Sequence, residues 1–234
     1  MFRVCLVVLF LLLISNKASS IEGSLTTDLF HLFKYSVSNP EDSGTVLDSL
    51  KLIPGYTVCL EKSARRPFDS NIYKLTDDET GKTVGVKIHR EMFPLATHIY
   101  QPRKRSVIND TGAVIRVMNT FLVNHYFRAY RVVIYEFRKG ITLKQAISDK
   151  KISVGFAKRA MERMIKKLVQ AKVHVYTEDL SDFLYLEEAG ELVLLDWCAL
   201  ADVHSASQSV IDEYVQAKMY YVNRKVEEAF FHSY

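Results

Sequence analysis

Apolar and polar positions alternate with a period of two most clearly in "NIYKLTDDETGKTVGVKIHR". Asn71 to Leu75 and Thr83 to Ile88 are the arms of a predicted β-hairpin, and "DDETGK" turns between them with Gly81 available for positive φ. Strand signals begin earlier, near Tyr56. They return in "TFLVNHYFRAYRVVIYEF" as two further segments, of which Arg131 to Phe137 is the stronger. The helical period dominates Ser153 to Lys172. There Ala157, Ala160, Met161, Met164, Ile165, Leu168 and Val169 form one apolar face, Ser153 is placed to cap, and the basic residues lie on a solvated face.

Weaker patterns fill in the rest. A short helix is expected over about Thr26 to Tyr35, and "SNPEDSG" (Ser38 to Gly44) is expected to be loop. The basic stretch "QPRKRSVINDTG" is broken by Pro102 and Gly112, with a short helix expected from about Thr111 to Met118. "ITLKQAISDK" predicts a short helix after Gly140. Two β segments, Phe183 to Leu186 and Glu191 to Leu195, are joined by "EEAG", and a final amphipathic helix is expected over about Ser207 to Phe231. The order is β-hairpin, short helix, two strands, short helix, long helix, β-hairpin, helix, which is an α+β arrangement with a strand-rich first half.

The first twenty residues stand apart from this pattern. Arg3 precedes an unbroken apolar run from Val4 to Ile14, and Ala18 to Ser20 offers small residues for cleavage, so residues 1–20 are expected to be a secretory signal peptide. The run is too short to span a bilayer core of ~30 Å comfortably. No other run approaches that length, so no transmembrane segment is expected after cleavage. Residues 21–50 are expected to form an N-terminal extension and 51–234 the folded domain. The composition, 48% hydrophobic and 25% charged, is that of an ordinary globular protein. The formal charge of +4 falls to about +2 without Arg3 and Lys17, too weak to argue for nucleic acid or lipid as a partner. Cys59 and Cys198 remain after cleavage and are expected either to pair or to stay as free thiols. Asn109-Asp110-Thr111 is a glycosylation acceptor in a glycosylating pathway.

Taken in order, these segments resemble the protein kinase fold, with a β-rich small lobe over about 51–137 and a truncated helical large lobe over about 138–234. "TVGVK" resembles the family's Val-Ala-Ile-Lys strand, which makes Lys87 the phosphate-binding lysine. "VVIYEFRKGITLKQAI" resembles the last small-lobe strand, hinge and following helix, with Tyr135 at the gatekeeper position and Glu136 and Phe137 opening the hinge. "VHVYTEDLSDFLYLEEAGELVLLDW" resembles the catalytic loop, its hairpin and the Asp-Phe-Gly strand, with Asp196 as the magnesium aspartate and Asp182 where the second metal ligand belongs. "TDDETGK", "SDFLYLEEAGELVLLDW" and the signal peptide together are most similar to the rhoptry kinases and pseudokinases that apicomplexan parasites secrete. That resemblance implies ATP and Mg²⁺ as cofactors and a host or parasite kinase or effector as protein partner. It also implies delivery to a secretory organelle or vacuole.

The departures bear on activity. The stretch "CLEKSARRPFDSNIYK" holds no glycine to let backbone N–H groups approach phosphates, although Arg65 and Arg66 could meet an anion there. Between Phe93 and Tyr135 no glutamate is present to pair with Lys87, and Glu91 is too near it in sequence to do so from a helix. The position of the catalytic base falls on Tyr176 counted from His174, or on Thr177 counted back from Asp182. A tyrosine with its pKa near 10 is a poor base at neutral pH, and losing a positioned base costs about 10²–10⁴-fold in rate. Glu178 or Asp179 would have to substitute. Asp182 and Asp196 either hold Mg²⁺ with nucleotide phosphates or serve a turn and a strand end. Trp197 and Cys198 stand where Phe and Gly are usual, and only 38 residues follow Asp196. The expectation is a secreted pseudokinase acting as a binding or scaffold module. Its rivals are an active secreted kinase with an atypical phosphate loop, and a truncated product with an incomplete core.

Overall fold

The computed structural model describes residues 23–62, 70–91, 99–202 and 207–231. The signal peptide and the Arg65–Arg66 pair lie outside the described residues, as does the Cys198 side chain. The chain is an α+β protein of six helices and ten strands among the described residues, and it divides into two compact units. One comprises residues 1–92 and 118–136, the other 93–117 and 137–234.

The first unit is built on a five-stranded antiparallel sheet of order β1-β2-β3-β5-β4. Its strands are β1 (Tyr56–Lys62), β2 (Asn71–Asp77), β3 (Thr83–Arg90), β4 (Val117–His125) and β5 (Arg128–Glu136). The predicted hairpin is β2–β3, in register from Asn71↔Ile88 to Thr76↔Thr83. Its turn is organised by Asp77, whose carboxylate accepts from the Glu79 and Thr80 amides, and Gly81 takes φ +69°. Alternation decides the faces. Tyr73 and Leu75 of β2, Val86 and Ile88 of β3, and Val132 and Ile134 of β5 share one buried cluster.

Helix α1 (residues 23–35) and helix α2 (Ser43–Leu50) complete that cluster with Leu25, Leu29, Phe33, Val46 and Leu50. Burying one such side chain contributes about 1.5–3 kcal/mol, so residues 23–50 supply much of this unit's core. The loop expected over Ser38 to Gly44 gives way to α2 at Ser43, because the Asp42 carboxylate accepts the Thr45 N–H at 2.6 Å and caps the helix. The loop is tied to the sheet by Glu41, which meets Arg128 Nη1 at 2.9 Å and the Tyr130 hydroxyl at 2.9 Å.

The β4–β5 turn is unusual. Tyr126 and Phe127 both take positive φ, +44° and +64°, as the residues of a primed hairpin turn do, where Asn-Gly is the usual pair. Left-handed backbone at a residue carrying a Cβ costs about 1–2 kcal/mol.

In the second unit, the long helix α5 (Val154–Gln170) is capped by Ser153, which accepts the Phe156 N–H at 3.2 Å. Its buried residues are the seven of the predicted face. Helix α4 (Leu143–Ser148) and the final helix α6 (Gln208–Phe231) pack with it. Two small sheets flank them. One pairs β7 (Val173–Val175) with β10 (Leu200–Asp202); the other has the order β6-β8-β9, formed by Ile141–Thr142, Phe183–Leu186 and Glu191–Leu194.

The helix expected over Thr111 to Met118 is corrected: helix α3 occupies Pro102–Asp110 instead. Pro102 is a start signal rather than a break, because proline at the first helical position gives up an N–H that has no partner there anyway. Gly112 at φ +61° ends the turn. The apolar run Ala113-Val114-Ile115 then lies extended beside the end of β9, with Ile115 N–H donating to Leu194 C=O and Leu194 N–H to Ala113 C=O. The carboxamide of Asn109 exchanges two hydrogen bonds with the backbone of Val117, at 2.8 and 3.0 Å. Both ends of the carboxamide are therefore engaged within the fold.

Candidate functional site

In the first unit, Lys87 lies on β3 opposite Val133 of β5, and Gly85 lies opposite Tyr135. Side chains two apart on a strand share a face. Gly85 and Lys87 therefore share one face with Val133 and Tyr135, on the side away from the α1–α2 core. Lys87 is only 9% exposed. Tyr135 is buried too, and burial pushes its phenol up to about 12, against the pull of the Lys87 ammonium. The Tyr135 ring fills the room a side chain at position 85 would take: a Cβ built on Gly85 would lie 2.1 Å from Tyr135 Cζ. Glu136 pairs with Val84 at the end of the ladder. The chain passes from one unit to the other between Glu136 and Phe137.

A second charged group lies on the same face. Arg131 Nε donates to Glu91 at 2.6 Å with both side chains nearly buried, and His89 Nε2 is 4.0 Å from the same carboxylate. Glu91, set aside in the sequence as a partner for Lys87, thus serves β5.

In the second unit, the residues from Val173 to Asp182 form β7 and a loop closed by a 3-10 turn, Leu180–Asp182. Two of the three candidate carboxylates on this loop have local work. Asp179 accepts the Ser181 N–H at 2.9 Å and caps the turn, and Asp182 accepts the Thr177 hydroxyl. Glu178 and Asp179 also line a cavity of about 420 Å³ with Lys144 of α4 and Lys225 and Glu228 of α6. Tyr176, one of the two positions for the base, is exposed, while Thr177 is engaged with Asp182.

The structure brings Asp182 and Asp196 onto adjacent chain segments. Leu195 N–H donates to Asp182 C=O at 2.8 Å, and Asp196 C=O accepts the Ala199 N–H in the turn Trp197–Ala199. No group of three or more His, Cys, Asp or Glu arranged to hold a metal occurs among the described residues. Asp182 and Asp196 together would offer a divalent cation at most two carboxylates, a set that suits Mg²⁺ only with phosphate oxygens or waters completing its shell. Trp197 donates its indole N–H to Ile115 C=O at 2.9 Å and stacks on Tyr100.

Sequence reasoning missed the contribution of α6. Its Tyr214 hydroxyl donates to Val175 C=O at 2.6 Å and accepts the Val175 N–H at 2.8 Å, so a side chain pairs with β7 as a strand would. The Tyr214 ring stacks on His174 at 3.8 Å with the planes parallel. One turn on, Lys218 is 7% exposed and donates to Tyr176 C=O at 3.2 Å. Burial lowers its pKa, against the pull of Glu178. The available signal was spacing: Tyr214, Lys218, Val222 and Val226 recur every four residues, which sets a lysine in an otherwise apolar buried stripe.

No protein-family model matches the chain, and no curated protein matches it.

Proposed function

We propose that this chain is a secreted, kinase-like protein that has lost phosphotransfer and works by binding, a pseudokinase. One observation carries the loss of catalysis. Asp179 and Asp182 are engaged by an N–H cap and by the Thr177 hydroxyl, Glu178 lines a cavity beside Lys144 and Lys225, and Lys218 and Tyr214 of α6 bolt the preceding backbone in place. A general base must reach the hydroxyl it deprotonates. Tyr176 and Thr177 offer no such group.

Two features support the kinase-like frame. A buried lysine on β3 stands next to β5, whose last residues lead out of the first unit, and a long helix then precedes a hairpin that ends at Asp196. In this reading Lys87 is the nucleotide-phosphate lysine, and Asp182 and Asp196 are the carboxylates that Mg²⁺ would use. No helix of the described residues is long and apolar enough to cross a membrane. The partner is a protein, by the resemblance a host or parasite kinase or effector.

The test has two arms. A thermal-shift titration with ATP and Mg²⁺ on wild type, Lys87→Ala and Asp196→Ala measures nucleotide binding. A phosphotransfer assay on the same three proteins measures chemistry, and the expected result is none in any of them. Transfer by wild type that Asp196→Ala abolishes would overturn the pseudokinase reading in favour of an active atypical kinase.

A further inference from the structure

The two edges of the five-stranded sheet are built differently. Edge strand β1 carries Glu61 and Lys62 and a register shift between Leu60 and Lys62. Charges and bulges are what natural sheets use to stop a free edge from pairing. Edge strand β4, "VMNTFLVNH", spans nine residues without Asp, Glu, Lys, Arg or Pro. Leu122 near its middle is 42% exposed. Among the described residues, Asn109 takes the backbone of Val117 and the Asn119 carboxamide takes the Thr120 N–H. Among the described residues β4 stands at the end of the sheet order, with no strand beyond it.

The turn after β4 adds an independent observation. Tyr126 is 81% exposed and Phe127 fully so, both at positive φ. Among the described residues, the one ring contact these two side chains make is Tyr126 edge-on to His125. Two bulky aromatics held in a conformation that favours glycine, and packing almost nothing, give the fold little in return. Outliers of this kind gather where a chain meets something else.

We propose that β4 pairs antiparallel with β4 of a second copy of this chain, centred on Leu122. The strand is free of formal charge, so an identical strand meets no like-charge opposition, and no charge pattern selects a foreign one. A two-fold axis through Leu122 uses one patch twice, as isologous dimers do. In that register Tyr126 of each copy falls opposite Met118 of the other, and Phe127 opposite Val117. The rings gain a thioether and a β-branched side chain to rest on.

The test is sedimentation equilibrium of the full chain, expressed in a eukaryotic secretory host, across a concentration series. Wild type is expected to dimerise reversibly. Leu122→Lys is expected to weaken the dimer by at least about tenfold with unchanged melting temperature, since the side chain is exposed. Tyr126→Asn/Phe127→Gly is expected to weaken the dimer and raise the melting temperature, which separates lost contacts from lost folding. Register is read in a Cys59→Ser background: Leu122→Cys should form a covalent dimer on mild oxidation, whereas Asn124→Cys, displaced from its own copy, should not. A chain monomeric at every concentration overturns the proposal, including one that captures a foreign strand instead. So does a dimer indifferent to Leu122→Lys, or a cross-link at Asn124→Cys but not at Leu122→Cys.

Discussion

The ring of Tyr135 lies against the backbone of Gly85, where a Cβ would come within 2.1 Å of Cζ, 2.4 Å of Cε2 and 2.6 Å of Cε1. Glycine and tyrosine are therefore one packing unit shared by β3 and β5. Gly85→Ala is expected to destabilise the protein by about 1–3 kcal/mol, the usual cost of overpacking a full site. Tyr135→Val should restore most of that loss in the double mutant, a coupling that urea denaturation of the four-member cycle would measure.

Glu91 and Arg131 make a nearly buried ion pair, with side chains 10% and 4% exposed. Removing one member leaves the other charge in a poor solvent. Glu91→Ala is expected to cost about 3–5 kcal/mol by chemical denaturation. Replacing both with well-packed apolar residues is expected to cost much less.

Asn109 bridges the end of α3 to the start of β4 through two backbone hydrogen bonds of Val117. Asn109→Ala is expected to cost about 1–3 kcal/mol, because a buried donor and acceptor lose their partners together.

Burial lowers the pKa of His174 below its ordinary 6.5. The unfolded chain therefore binds the extra proton first as pH falls through 6.5. Stability is full above that value and declines between it and the lowered native pKa. His174→Phe keeps a ring against Tyr214 and removes the titration. Its stability profile between pH 7 and 5 is expected to be flatter than that of wild type, by thermal denaturation at each pH.

Much of the scaffold was legible in the chain. The period of two in Asn71 to Ile88 and the seven-residue apolar face of α5 report burial directly, because alternation and helical spacing are themselves what burial imposes. The expected helix over Thr111 to Met118 failed for a non-local reason. Ala113 to Ile115 has helical spacing available, but the end of β9 offers it a ladder, and no local pattern encodes a partner eighty residues away.

The site divides the same way. The resemblance of "TVGVK" and "SDFLYLEEAGELVLLDW" to kinase segments is what marked Lys87, Asp182 and Asp196 in the sequence. Tertiary structure alone decided what the loop carboxylates do. Asp179 and Asp182 are turned to capping and to Thr177 by the path of the 3-10 turn, and α6 lays Tyr214 on β7 and Lys218 on Tyr176 just beyond it, from about forty residues downstream. Local chemistry and periodicity are written into neighbouring residues. Which distant groups share a hydrogen bond depends on packing summed over the whole fold.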